Sequence, residues 1–206
     1  MALNDLFRPF LDAIIPPRPA ERLVRVLTLE QLRALSGPRT ESFEALLPYH
    51  DPRCLALVWE LKYRRSSRAL ELGAALFEEP LLSIAGEELA IPLLIPVPMH
   101  EKRRQERGFN QTELLGRAIA LRMPNSVEYA EALARVREAP PQQGLPRKER
   151  LLNQKGSIAA KEPMLIAGRV CVIVDDVATT GATFEEARRA LNEAGARSVH
   201  CIALAS

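Results

Sequence analysis

The sequence predicts an α/β fold, a parallel sheet flanked by helices, on three observations. Short apolar runs with the length and composition of buried strands occur at residues 93–97, 170–174 and 199–203. Segments with apolar residues at helical spacing lie between and beside them: Leu114, Leu115, Ala118 and Ile119, then Phe184, Ala187, Leu191 and Ala194. Strand and helix alternating in this way give parallel strands joined by crossover helices. The chain has 206 residues, 47% hydrophobic and 26% charged, enough core for one such domain with a small appendage.

The N-terminal part reads differently. Leu3, Leu6, Phe7, Phe10, Leu11, Ile14 and Ile15 repeat at helical spacing until Pro16-Pro17 stops the helix, which suits a docking face better than a membrane anchor. Asp5, Arg8 and Asp12 interrupt the apolar positions and argue against a signal peptide. No apolar run approaches the roughly 18 to 20 residues needed to cross a bilayer, so the expectation is a cytoplasmic protein without a membrane span. Thr28 and Gln31 look like a capping box for a short helix ending near Gly37. Cys54, Leu57, Val58 and Leu61 form another helical face, a basic stretch runs from Lys62 to Arg68, and a further helix is expected from about Arg68 to Phe77. The expected division is a helical segment, 1–48, followed by the α/β domain, 49–206.

Composition excludes some chemistry. A net charge of +2 gives no global signal for a nucleic-acid partner. Cys54, Cys171 and Cys201 form no CxxC and have no histidine at ligand spacing, so no metal site is expected from them. Cys171 and Cys201 lie in strand-like runs, where a cysteine is usually a small buried hydrophobe.

Residues 172–183, VIVDDVATTGAT, carry the chemical signal. Asp175 and Asp176 stand at the carboxyl end of a buried strand, and a Thr/Gly turn then opens a helix; ligands bind at that edge of open parallel sheets. The turn presents backbone N–H groups at a helix N-terminus, where the helix dipole favours a phosphate. Thr179, Thr180 and Thr183 add hydroxyl donors, Ala182 belongs to the same loop, and Gly181 permits close approach or a positive φ. Like charge keeps Asp175 and Asp176 off that phosphate and leaves them for a neutral polyol or a divalent cation. A ribose 5-phosphate has both halves. A Walker B segment would need an upstream GxxxxGK[ST] loop, and a dinucleotide fold an early GxGxxG; neither is present. The bland alternative is a helix start with incidental acids.

The same twelve residues closely resemble the motif with which type I phosphoribosyltransferases bind 5-phosphoribosyl-1-pyrophosphate (PRPP). A second segment, PVPMHEKRRQERGFNQ at 96–111, is similar to a signature of the ComF/GntX family of competence-associated proteins. A third, Arg137 followed by PPQQGLPRKERLLNQKG, matches that family at Pro141, Gln142, Leu145, Arg150, Asn153 and Gly156. Lys62-Tyr63 matches a Lys-Tyr pair upstream of the PVP strand. The resemblance covers about 47–206, with its motifs in the family's order. The sequence departs from the family's pattern in two places. Members often carry a four-cysteine zinc ribbon after a lead like FLDAIIPPR, and here no cysteine follows that lead. Ala139 stands where a hydroxyl residue is expected, and Ile158 where an aromatic is usual.

The resemblance implies a type I phosphoribosyltransferase-like sheet with a mainly helical N-terminal hood. By it, Asp175 and Asp176 contact the ribose hydroxyls, while Thr179, Thr180, Gly181, Ala182 and Thr183 hold the 5′-phosphate. Arg103 and Arg107 would give bidentate contacts to the pyrophosphate, with Gly108 allowing close approach and Asn110 donating. Lys102 and Arg104 are expected as surface charges. The long loop 139–155 would act as a lid through Gln142, Arg150 and Asn153. Mg²⁺ would accompany PRPP, and the acceptor would be a nitrogenous base that the sequence does not identify. His100 is the only histidine near these motifs, although a lone loop histidine usually faces solvent. The alternative reading is a PRPP-dependent single-stranded DNA-binding or regulatory protein of DNA uptake. Its contacts would be Lys62, Arg64, Arg65, Arg68 and residues 102–107, with Trp59, Tyr63 and Phe109 as stacking surfaces. A homo-oligomer is compatible with the sequence.

Overall fold

The computed structural model describes residues 18–137 and 155–206. Helices α1 (Pro19–Val26) and α2 (Leu29–Arg33) lead into strand β1 (Glu44–Leu47), and α3 (Pro52–Arg64), α4 (Ser67–Leu76) and α5 (Glu78–Glu88) follow. Then come β2 (Leu93–Pro96), α6 (Glu101–Arg107), α7 (Gln111–Arg122), β3 (Glu128–Tyr129) and β4 (Leu133–Arg135). Beyond residue 154 lie β5 (Ile158–Ala160), α8 (Pro163–Ile166), β6 (Val170–Val177), α9 (Ala182–Glu193) and β7 (Ser198–Ala205).

Five strands form one sheet in the order β1-β7-β6-β2-β3, and every pairing in it is parallel. The strongest sequence signal, β6, lies at its centre, and its side chains alternate between two cores with the strand period of two. Val172 and Val174 join Leu57, Leu61, Leu72, Phe77, Leu94 and Leu204 on one face; Cys171 and Ile173 join Phe43, Ile95, Phe184, Leu191 and Cys201 on the other. Helices α4 and α7 pack together over the first face, and α9 covers the second. All three cysteines are free and buried, and burial pushes the Cys171 and Cys201 thiols up to about 11.

Local chemistry sets the helix ends. Thr28 and Gln31 form the reciprocal capping box at the start of α2, and that helix stops at Arg33, earlier than the expected end near Gly37. Asp51 accepts from the Arg53 amide at 2.8 Å to cap α3, with Pro52 at the first helical position. Arg65 ends α3 in the left-handed region at φ 51°.

The structure also differs from the sequence reading at the domain boundary and in the segment after β2. The boundary expected at 48/49 falls just past β1, which pairs with β7 through Glu44, Ala45 and Leu47; residues 44–47 are therefore a strand of the main sheet rather than part of a helical appendage. This edge strand is also backed by the incoming chain, where the Gly37 amide donates to Leu46 and the Ala45 amide to Pro38. The segment after β2, whose Lys102 and Arg104 are expected as surface charges, is helical: α6 is capped by His100, whose Nδ1 faces the Lys102 amide at 3.4 Å, and stopped by Gly108 at φ 79°. The amphipathic stretch 3–15 lies outside the described residues. No helix among the described residues is long and apolar enough to cross a membrane.

Candidate functional site

Two neighbouring parallel strands end together. Pro96 of β2 stands opposite Val174 of β6, and the Val97 amide donates to the Val174 carbonyl at 2.9 Å. The chain leaving β2 and the chain leaving β6 therefore emerge side by side at the carboxyl edge, where ligands of such sheets bind. The strand β6 itself runs past residue 174 and takes in both Asp175 and Asp176.

The two carboxylates are held by local backbone. The Asp176 amide donates to Asp175 Oδ1 and the Val177 amide to Asp176 Oδ1, each at 2.8 Å. Asp176 is 4% exposed, and its Oδ2 is buried without a hydrogen bond. The ammonium of Lys62, reaching from α3, stands 3.4 Å from that oxygen. Burial and the adjacent Asp176 charge push Asp175 well above the carboxylate range, and Lys62 pulls it partly back.

Beyond the pair, Gly181 turns at φ 76° and opens α9; as a glycine it offers the helix no side-chain cap, and the Thr180 hydroxyl accepts from the Ala182 amide at 3.5 Å. The turn encloses a hollow of about 40 Å³ lined by Asp175, Thr179, Thr180, Gly181, Ala182 and Thr183, among others. Phe43 and Ser42 support the turn from below. The turn's φ favours glycine, and a Cβ on residue 181 would also press on the Phe43 ring at 3.2 Å.

The β2 side contributes cations. Arg103 lies exposed on α6. Arg107 donates to Gln111 Oε1 at 2.6 Å, and its guanidinium lies 5.6 Å from the Tyr63 ring centre. The Gly108 carbonyl accepts from Arg65 at 2.8 Å. Asn110 is 2% exposed, and its amide is occupied within the protein. It caps α7 through the Thr112 amide at 3.2 Å and donates to Val97 O at 3.2 Å and Glu113 Oε1 at 3.1 Å. Its place is to fix the turn against the sheet edge. Arg104 pairs with Glu113 at 2.8 Å. The lid residues Gln142, Arg150 and Asn153 lie outside the described residues. At the base of that segment, Arg137 donates to the carbonyl of Lys155.

Two further residues at this edge were not singled out for it from the sequence. Arg135 of β4 donates to the Pro98 carbonyl at 3.3 Å, and the charges it senses include Asp175 and Arg103; burial holds its pKa below the usual arginine value. Lys62, expected as a surface contact, is instead turned inward to Asp176. Arg135 had a sequence signal in its alternation with Arg137, and Lys62 had one in the Lys-Tyr pair.

A parallel sheet whose central strand carries an acidic pair and a Thr-Thr-Gly turn is the architecture of a phosphoribosyltransferase domain, and a family profile described as "Phosphoribosyl transferase domain" matches residues 114–206. The chain is 34% identical over 152 residues to the "DNA utilization protein YhgH" of Salmonella typhi, covering 73% of this chain and 66% of that protein. It is 34% identical over 164 residues to the protein of the same name from Escherichia coli O157:H7, covering 79% of this chain and 70% of the relative. A "Competence protein ComFC" of Bacillus subtilis (strain 168) matches at 35% over 115 residues, 50% of this chain and 39% of that protein. The chain belongs to the competence-associated ComF/GntX family, and its match spans just under two thirds of the Salmonella relative.

Proposed function

We propose that the protein binds PRPP at this edge and transfers its phosphoribosyl group to a nitrogenous acceptor. The observation that carries the reading is the juxtaposition of the acidic pair, its Asp176 buried and its Asp175 half-buried, with the glycine-opened start of α9. Asp175 and Asp176 accept from the ribose hydroxyls. The α9 amides and the hydroxyls of Thr179, Thr180 and Thr183 take the 5′-phosphate, and Arg103, Arg107 and Arg135 line the side on which the pyrophosphate would leave. In the transfer, the bond from the sugar C1 to pyrophosphate oxygen breaks with its electron pair on the leaving group. The acceptor nitrogen then bonds to C1 and gives up a proton.

Mg²⁺ suits the donors present. It is usually held by one or two carboxylates together with substrate phosphates, and no cluster of three or more metal-ligating side chains occurs among the described residues. Brought in with PRPP, it would neutralise charge on the departing pyrophosphate.

A second reading is supported by a ladder of rings and guanidinium groups. Trp59 and Tyr63 lie 5.5 Å apart, Arg18 and Arg64 approach Trp59, Arg107 approaches Tyr63, and Arg65 lies 4.3 Å from the Phe109 centre. Rings alternating with arginines suit stacked single-stranded bases, and the relatives' names speak of DNA utilisation and competence.

One assay separates the two readings. Pyrophosphate release from PRPP–Mg²⁺ is followed with a panel of bases and with single-stranded oligonucleotides at several salt concentrations. Release that depends on one base supports the transferase. Strand binding that weakens steeply with salt, without release, supports the second reading.

A further inference from the structure

We propose that Lys62 is a positioning residue of the ribose site, a built-in counter-ion that holds the Asp176 carboxylate in place to face a ribose without a divalent cation. The inference rests on the PRPP reading and adds a residue to it. Asp176 Oδ2 is buried, its side chain 6% exposed, and it makes no hydrogen bond. A carboxylate oxygen so placed needs positive charge nearby, and a second carboxylate on the adjoining residue raises the need. The cation reaching it is Lys62, at 3.4 Å with a side chain 22% exposed.

The placement of Lys62 is built into the fold. It lies in the last turn of α3, just before Arg65 ends the helix in the left-handed region and hydrogen-bonds the Gly108 carbonyl. That bond ties the end of α3 to the turn after α6. Buried Leu57, Val58 and Leu61 hold the same helix against the core. The ammonium is therefore delivered to the acidic pair by a packed helix rather than by a loose surface chain. The role needs a positive charge carried to Asp176 on a long side chain, and lysine supplies it.

Metal dependence distinguishes this role from simple charge balance. Ribose 5-phosphate carries the sugar and the 5′-phosphate but no pyrophosphate to bring its own Mg²⁺. It is titrated into wild type, Lys62→Met and Lys62→Arg, each with EDTA and with millimolar Mg²⁺, and inorganic phosphate serves as the control for the α9 start. Wild type is expected to bind ribose 5-phosphate equally well in both conditions. Lys62→Met is expected to bind about tenfold more weakly in EDTA and to recover in Mg²⁺ as the ion takes the ammonium's place. Lys62→Arg should behave as wild type, and inorganic phosphate should bind all three alike.

Equal binding by wild type and Lys62→Met in EDTA overturns the inference, as does a loss that neither Mg²⁺ nor arginine restores. If Lys62→Met does not fold, wild type still decides: an affinity that rises with Mg²⁺ overturns the inference, and one that does not supports it. If wild type binds neither ribose 5-phosphate nor PRPP, the PRPP reading itself fails and this inference with it.

Discussion

Asp175→Asn is expected to give a more stable protein with a weaker ligand site. Asp175 sits beside a second carboxylate at the end of a buried strand, and burial with that neighbouring charge pushes it well above its ordinary value of 3.8. A raised carboxyl pKa means that the folded chain holds this proton more tightly than the unfolded chain does. Ionising Asp175 therefore costs stability, and the cost is fully present above the raised pKa and vanishes as pH falls to the ordinary range. Asparagine keeps the shape and an oxygen for the Asp176 amide while removing the charge. The variant should gain roughly 1 kcal/mol at neutral pH, or about 2–4 °C in Tm for a chain of this size. The gain should shrink as both proteins are taken toward pH 4. A charged acceptor on a ribose hydroxyl is lost as well, so PRPP should bind roughly 30-fold more weakly. Thermal melts across pH, paired with PRPP titrations, test both signs. A variant less stable than wild type at neutral pH would contradict the reading of the pair.

Phe184→Ala should be the more damaging change. Phe184 is 1% exposed at the start of α9, with its ring 5.5 Å from that of Phe43. Truncating a buried phenylalanine costs about 3–5 kcal/mol, because the surrounding core closes only partly over the space. In a chain of this length that corresponds to a fall in Tm on the order of 10 °C. Phe43 also supports Gly181, so the phosphate turn should loosen and PRPP affinity should fall with stability. Saturating PRPP should still raise the variant's Tm by mass action, because the acidic pair is untouched. Differential scanning with and without ligand tests this. A Tm within a few degrees of wild type would show that the two rings do not anchor the turn.

Much of the sheet's centre could be read from the sequence, because its signals are local. The run through Val172 and Val174 declares itself as a buried strand, and the Asp-Asp-to-Gly turn follows at once. The parallel partnership of residues 93–97 followed from the alternation of strand and helix. The edges could not be read this way. Glu44–Leu47 is four residues with no helix-breaking frame, and it becomes a strand because β7 offers it an edge. Glu128–Tyr129 is only two residues long. The segment EKRRQER has no apolar face and reads as a solvated turn, yet a capping histidine and a left-handed glycine make it a helix. Asn110 looked like a donor for a ligand, although Asn110 with Glu113 three residues on is also a helix-start pattern, and the structure uses it so. Lys62 and Asp176 are more than a hundred residues apart, and only tertiary packing brings them to 3.4 Å.

We propose that the acidic pair and the start of α9 together form a PRPP site. Calorimetric titration of the folded wild-type protein with PRPP plus Mg²⁺, beside the double variant Asp175→Ala/Asp176→Ala checked for folding, tests it most directly. Saturable one-site binding by the wild type and none by the variant is the expected result. Folded wild-type protein that shows no heat of binding at millimolar PRPP, or a variant that binds as well as wild type, would contradict it.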